Sequence, residues 1–347
     1  MNALHDLTPA HLSERLSGWL AQRLGCAPME IVSAKRLSGG AIQQNWLLGL
    51  ALCGGDRPAR FLVLRTDAAS SVGTSLSRMD EYAVLQSAWD GGVKVPKPLG
   101  VEPLGDVIGL PFFVCEALAG TAVGTKIVRH PEAYGGRELL ATALARELSA
   151  IHAVIPGNAA IAVIGAPDRD PVRLAIARYR SDLEAVSVKR PTVELALRRL
   201  ERDPLPKGEI CFCHRDFRTG NFMADAAGLT GILDWEFAGW SDPHEDLGWF
   251  CSRPWRFGAD RYEAGGLVSR DRFLSLYEAS SGRRVDTQRV AWWELMASVR
   301  WAVIALQQSD RLRVAGERSV DLALIGYRVP DIEQEILRLL DRREWRS

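Results

Sequence analysis

Three polar side chains stand at the ends of short apolar runs in the second half of the chain. Asp216 and Asn221 belong to His214-Arg215-Asp216-Phe217-Arg218-Thr219-Gly220-Asn221, which follows the run Glu209 to Cys213, and Asp234 closes the run that starts at Thr230. Phosphoryl transfer needs a carboxylate to accept the proton of an attacking hydroxyl, and oxygen ligands to hold Mg²⁺ against a triphosphate. Asp216 is of the first type; Asn221 and Asp234 are of the second. The four residues between Asp216 and Asn221 let one loop aim a base at an acceptor and then turn back to present an amide oxygen to the metal. Taken singly, each has an ordinary structural alternative: a turn residue for Asp216, a left-handed position after Gly220 for Asn221, a cap of the next element for Asp234. Their order, each at the end of an apolar run, favours the joint chemical reading. His214 is assigned to bracing the loop by hydrogen bonding, because Asp216 already fills the acid-base role.

The elements that must carry these residues follow from periodicity. Thr8-Pro9, then Leu12, Leu16, Leu20 and Leu24, closed by Gly25, predicts an amphipathic helix with its N-cap and first-turn proline. Short β-type runs follow: Ile31 to Leu37, Ile42 to Leu50 and Phe61 to Arg65, separated by Gly39-Gly40 and Gly54-Gly55-Asp56. Leu76 to Trp89 has helical spacing, with Met79, Tyr82, Leu85 and Trp89 on one face, and two more strands are expected near Lys97 to Glu102 and Pro111 to Glu116. Beyond Gly120 helices dominate: Gly136 to Val154, Pro171 to Glu184, Val193 to Arg202, Asp271 to Ser280, Thr287 to Gln307 and Asp331 to Arg342. The expected fold is therefore α+β in two lobes, an antiparallel β lobe over 1–117 and a larger helical lobe over 118–347. A length of 347 residues, 47% of them hydrophobic, suits two such cores.

Forty-three Lys plus Arg balance 43 Asp plus Glu, so the overall charge asks for neither nucleic acid nor an anionic membrane. No run approaches the roughly eighteen apolar residues of a membrane span, and no basic-then-apolar leader opens the chain, which predicts a cytoplasmic protein. The six cysteines form no paired C-x-x-C units. Cys211 and Cys213 share one strand face beside His214 and are read as buried strand residues ahead of metal ligands.

His214-Arg215-Asp216 with Asn221 resembles the catalytic loop of the aminoglycoside phosphotransferase family, relatives of choline kinases and protein kinases. Leu233-Asp234-Trp235-Glu236 and the later Asp242-Pro243 and Asp246-Leu247 look like that family's metal-binding strand and the segment after it. The resemblance implies a protein-kinase-like fold that uses ATP and Mg²⁺. It makes Asp216 the base, Asn221 and Asp234 the metal ligands, and Asp246 the group that holds the catalytic loop from behind; Asp242 is read as a helix N-cap. In the first lobe Leu37-Ser38-Gly39-Gly40 is similar to the family's nucleotide loop, where backbone N–H groups approach phosphates. Arg65 stands where kinases usually carry a lysine that pairs with a helix glutamate, here Glu81. Guanidinium grips oxygen pairs with a rigid fork, and kinase-like domains attached to certain acyl-CoA dehydrogenases look similar in carrying arginine there. Glu116 to Leu118 resembles the hinge whose backbone holds adenine. His152, in a stretch like the family's core helix, is read as structural.

The acceptor is expected to be a hydroxylated small molecule, met by a monomer or homodimer. Thr287 to Gln307 carries Val290, Trp293, Ala297, Trp301 and Ile304 at helical spacing, which reads as core, while Trp292 and Glu294 fall off that stripe. The acids there are mixed with Arg289, Arg300, Arg311 and Arg313, which suits a neutral or anionic acceptor at least as well as a polycation. Two rival readings remain at this stage, a catalytically silent nucleotide-binding module, suggested by Arg65, and a metal-dependent hydrolase built on His214, Asp216, Asp234 and Asp242.

Overall fold

A computed structural model describes residues 8–25, 29–37, 43–52, 60–67, 75–167, 170–314 and 320–342. Five strands, β1 (Met29–Arg36), β2 (Gln43–Leu52), β3 (Arg60–Asp67), β4 (Pro98–Glu102) and β5 (Phe112–Glu116), form one antiparallel sheet in the order β1-β2-β3-β5-β4. Alternation along β3 and β5 decides what each face meets. Leu62, Leu64, Phe112 and Val114 pack on one side with Leu12, Leu16 and Leu20 of α1 (Pro9–Leu24). Burying each of those leucines is worth roughly 2 kcal/mol. Thr8 Oγ1 accepts from His11 N at 3.3 Å, and Gly25 at φ +61° closes the helix, as the sequence predicts. Phe113 and Cys115 face the other way, toward Val84, Leu85 and Ala88 of α2 (Arg78–Asp90).

The face that α2 buries differs from the expected stripe. Arg78, Glu81, Val84, Leu85 and Ala88 are inside, while Trp89 is 39% exposed. An ion pair carried by Glu81, described below, outweighs the apolar count and turns the helix. Glu116 N donates to Lys97 O and Ala117 N to Phe61 O before the chain leaves the sheet. Thr121 and Ala224 then exchange both backbone hydrogen bonds, at 2.9 and 3.0 Å. Gly120 makes that approach possible: its φ is +102°, and a Cβ there would lie 2.1 Å from Ala224 O.

The rest is mainly helical: α3 (Gly124–Arg129), α4 (Arg137–His152), α5 (Asn158–Ile164), α6 (Pro171–Ala185), α7 (Pro191–Arg202), α8 (Pro243–Cys251), α9 (Arg270–Ser281), α10 (Thr287–Arg313), α11 (Val320–Gly326) and α12 (Val329–Arg342). The β-rich island consists of the hairpin β7 (Phe222–Asp225) and β8 (Gly228–Ile232), and of β6 (Cys211–Cys213) paired with β9 (Gly239–Ser241). The off-stripe residues of α10 are as buried as the stripe. Trp292 donates to Asp203 O at 3.2 Å, and Glu294 is buried between Arg256 and Arg270. A helix packed against α6, α7, α8, α11 and α12 has little outer face left, so the stripe alone could not identify its buried positions.

Candidate active site

β6 ends at Cys213 and delivers the chain to a loop pinned from below by α8. Asp242 caps that helix, accepting from His244 N at 2.9 Å, and Arg289 holds its other oxygen. One turn on, Asp246 is fully buried and accepts from three donors: His214 N at 2.8 Å, Arg215 N at 2.7 Å and His152 Nε2 at 3.1 Å. Burial pushes the Asp246 carboxyl up, but the hydrogen bonds from the His152 side chain and the His214 backbone N–H act against it, and the net direction is down. Tyr277 donates to the remaining nitrogen of His152 at 2.7 Å, which places that histidine in a structural role. His152, Cys211 and Cys213 do bring three donor atoms within 4.8 Å of one another. Both His152 nitrogens are already engaged, however, and burial raises the Cys213 thiol well above its ordinary value.

His214 accepts at Nδ1 from Asp216 N (3.2 Å) and donates from Nε2 to Leu233 O (2.8 Å). That pair of bonds requires the neutral imidazole with its proton on Nε2, and burial lowers its pKa in the same sense. His214 thus ties the loop to the end of β8. Arg215, between the two, sits at φ +60°, and Asp234 at φ +59°; these are two of three non-glycine residues with positive φ among the described residues. Such backbone is held only where surroundings over-determine it, and here both instances flank the same loop-strand contact.

Asp216 is buried and both of its carboxylate oxygens accept hydrogen bonds. Trp249 Nε1 donates to Oδ1 at 2.8 Å, Arg218 Nε reaches the same oxygen at 3.3 Å, and Asn221 Nδ2 donates to Oδ2 and to the Asp216 carbonyl. With its nitrogen spent, Asn221 keeps a buried Oδ1 that has no hydrogen-bond partner among the described residues. An unsatisfied buried amide oxygen costs about 1–3 kcal/mol unless something binds it, and an amide oxygen is a suitable ligand for a hard cation. Asn221 O accepts from Leu233 N at 2.8 Å, so Asn221 and Asp234 are held on adjoining backbone.

Asp234 connects this loop to the sheet. Arg65 points from β3 toward α2, where its Nη1 lies 3.1 Å from Glu81 Oε1, and its Nη2 donates to Asp234 Oδ1 at 3.1 Å. Arg78 pairs with the other Glu81 oxygen, donates to Leu76 O at 3.3 Å and comes within 3.8 Å of Glu236. Leu76 N donates to Glu236 O at 2.8 Å. The first turn of α2 is thereby fastened to the segment just after Asp234.

Of the sequence-predicted residues, the structure brings together Asp216 and Asn221, and separately Arg65, Glu81 and Asp234, the two groups meeting through Leu233. Glu116 pairs with Arg60 on β3, and Leu118 N carries no hydrogen bond among the described residues. Leu118 also lies over Gly231, where a Cβ would meet its Cδ1 at 2.5 Å. Ser38, Gly39 and Gly40 fall outside the described residues. Sequence reasoning missed Trp249, Arg78, Glu236 and the role of Arg300, whose guanidinium donates to Arg215 O and lies 4.2 Å above the Trp249 ring. A signal for Trp249 existed: it follows Asp246 by three residues, and helical i,i+3 neighbours share a face.

The phosphotransferase enzyme family matches residues 33–293. Acyl-CoA dehydrogenase family member 10 of Mus musculus is 27% identical over 202 residues, 55% of this chain but 18% of that protein, so the match spans about a fifth of the relative. Among solved structures, a Ralstonia eutropha JMP134 protein assigned to the aminoglycoside phosphotransferases superposes with a TM-score of 0.74 at 19% identity, covering 95% of this chain and 98% of that one. The choline kinase of Streptococcus pneumoniae gives 0.61 at 18% identity over 96% and 99% of the two chains. The GDP complex of wild-type aminoglycoside 2'-phosphotransferase-IIIa gives 0.58 at 18% over 97% and 98%. At these identities the structural likeness establishes the fold: an antiparallel sheet followed by a mainly helical remainder, as in kinase-like phosphotransferases. With most of its length matched, the chain belongs to the phosphotransferase enzyme family.

Proposed function

We propose that the protein transfers the γ-phosphoryl group of ATP to a hydroxyl group of a small molecule. Asp216 takes the proton of the acceptor hydroxyl as its oxygen bonds to the γ-phosphorus; the bond from that phosphorus to the bridging oxygen breaks, and ADP leaves with the electron pair. The observation that carries the reading is the division of Asn221: its nitrogen fixes the Asp216 carboxylate, and its buried oxygen has no partner among the described residues. That oxygen and the partly exposed Asp234 carboxylate fit the donor set of Mg²⁺. Bound there, the ion would neutralise charge developing on the phosphoryl oxygens. Arg65, clamped between Glu81 and Asp234, is positioned to add a forked guanidinium to the same task, and Ser38 to Gly40 are the backbone donors proposed to cover the phosphates. Leu118 N is the hinge donor left for a nucleobase.

The test is Mg²⁺-dependent consumption of ATP, with GTP in parallel, against a panel of hydroxylated small molecules. Asn221→Ala and Asp234→Ala should each lower turnover by about 100-fold or more and weaken nucleotide binding chiefly when Mg²⁺ is present. A parent protein that binds nucleotide but consumes none with any acceptor would favour a silent nucleotide-binding module. Tight metal binding without nucleotide would favour a hydrolase.

A further inference from the structure

A cavity of about 500 Å³ opens between α6, the loop after α5, and the segment that follows Asp234. Apolar side chains, Ile164, Leu174 and Phe237 among them, share its walls with polar groups that make up the larger part of the exposed lining, and three guanidiniums face it, those of Arg178, Arg215 and Arg300. The carboxylate on its lining is Glu236, which is turned toward Arg78. The acids that accompany the arginines, Asp182 beside Arg178 at 3.7 Å and Glu245 beside Arg215 at 3.4 Å, lie behind the wall and not on it. A second cavity, about 460 Å³, between α10 and α12 is different: Arg253 and Arg328 meet Asp260 and Asp331 at 3.3 and 3.6 Å on its own lining, so it is self-neutralised.

Chain neighbours of the proposed transfer residues line the first cavity, while Asp216, Asn221 and Asp234 themselves are not on its lining. Arg215 immediately precedes Asp216, and Arg300 bonds the Arg215 carbonyl while resting on Trp249, whose indole N–H holds the Asp216 carboxylate. Glu236 and Phe237 follow Asp234 by two and three residues.

We infer that this cavity selects an acceptor that carries an anionic group on an apolar body, and that Arg178 sets the preference. The inference rests on the reading of Asp216 as base, since that reading makes the neighbouring cavity the acceptor's place. Guanidinium suits carboxylate and phosphate oxygens, and the apolar side chains on the wall, Ile164, Leu174 and Phe237, gain by covering a hydrocarbon chain. Arg178 is the right residue to test, because it stands on α6 partly exposed, takes no part in holding the catalytic loop, and can be changed without unpinning it.

The experiment has two arms, both on the full chain. In the first, calorimetric titration compares octanoate, octanol and octylammonium at one ionic strength, for the parent, Arg178→Met and Arg178→Glu. Octanoate should bind about tenfold or more tighter than the other two, Arg178→Met should weaken it about tenfold and Arg178→Glu further, as expected for loss of a charge-assisted bond, while the thermal shift given by Mg-ATP stays unchanged. In the second arm, transfer from γ-labelled ATP is measured with ω-hydroxyoctanoate, octanediol and ω-amino-octanol; kcat/KM should be highest for the acid, and Arg178→Glu should remove that advantage through KM. Equal binding of the three probes, preference for the ammonium, or indifference to Arg178→Glu would overturn the inference. Octanoate bound but its hydroxy acid no better an acceptor than the diol would also overturn it. Nucleotide binding or turnover lost altogether, with Arg178-dependent octanoate binding intact, would instead strike the proposed transfer chemistry and leave the anion pocket standing.

Discussion

Asp216 is held by the indole of Trp249, the amide of Asn221 and the guanidinium of Arg218, so its direction is set before any acceptor arrives. The indole is the partner whose removal is cleanest. Trp249→Phe keeps a ring under Arg300 and deletes one hydrogen bond of about 1.5–3 kcal/mol to a charged group. We expect kcat to fall about 10- to 100-fold with nucleotide affinity unchanged, measured by steady-state kinetics beside equilibrium nucleotide binding. An unchanged kcat would mean that the indole does no more than fill space. Residue types and order alone proposed Asp216, Asn221 and Asp234 as one set, and the structure brings Asp216 to Asn221 and Asn221 to the backbone beside Asp234. Trp249 escaped because an aromatic in an apolar helix reads as core, and its N–H becomes informative only once Asp216 is seen opposite.

Strands and helices convert those residues into a site. The period of two along β3 sends Leu62 and Leu64 to α1 and Arg65 to α2, where Glu81 waits with Arg78 on its second oxygen. Breaking one partner from a buried ion network is expensive, about 3–5 kcal/mol, because the remaining charge stays buried. Arg78→Met should therefore lower stability by roughly 3 kcal/mol in urea titration and loosen the first turn of α2 from Glu236. A variant as stable as the parent, with the same Mg-ATP affinity, would show that Arg65 holds Glu81 unaided. The strands of the sheet were legible to within a few residues, since glycine-rich breaks bound them. The inward face of α2 was not, because counting apolar residues cannot see that Glu81 is drawn inward by a cation distant in sequence. Nor could periodicity show that α10 is enclosed on nearly every side.

At the scale of the whole molecule, two carboxylates beneath the loop 214–221 and the buried imidazole of His214 within it make the fold acid-sensitive. Asp242, raised by burial but more strongly lowered by His244 and Arg289, is held down at about 2, and Asp246 also lies below the ordinary carboxylate value. Burial lowers His214 below the ordinary histidine value near 6.5. In each case the unfolded chain binds more protons below the ordinary pKa, so the stability these groups contribute is present above it and is lost as pH falls. The urea midpoint should decline below about pH 6.5 and more steeply below about pH 4; a midpoint that rises over that range would contradict the assigned directions. The molecule as a whole is proposed to join a nucleotide held between sheet and helices to an acceptor at Asp216, and Asp216→Asn is the measurement that tests this most directly. Asparagine keeps the size and one accepting oxygen, though its NH2 replaces an oxygen that accepts from an N–H donor, and it cannot take the proton; a positioned base contributes about 10²- to 10⁴-fold in rate. With the full chain, Mg-ATP and any acceptor that the parent phosphorylates, we predict a fall in kcat of that order, with the Mg-ATP dissociation constant within a fewfold of the parent's. A folded Asp216→Asn protein that binds Mg-ATP and transfers phosphate at nearly the parent's rate would contradict the account.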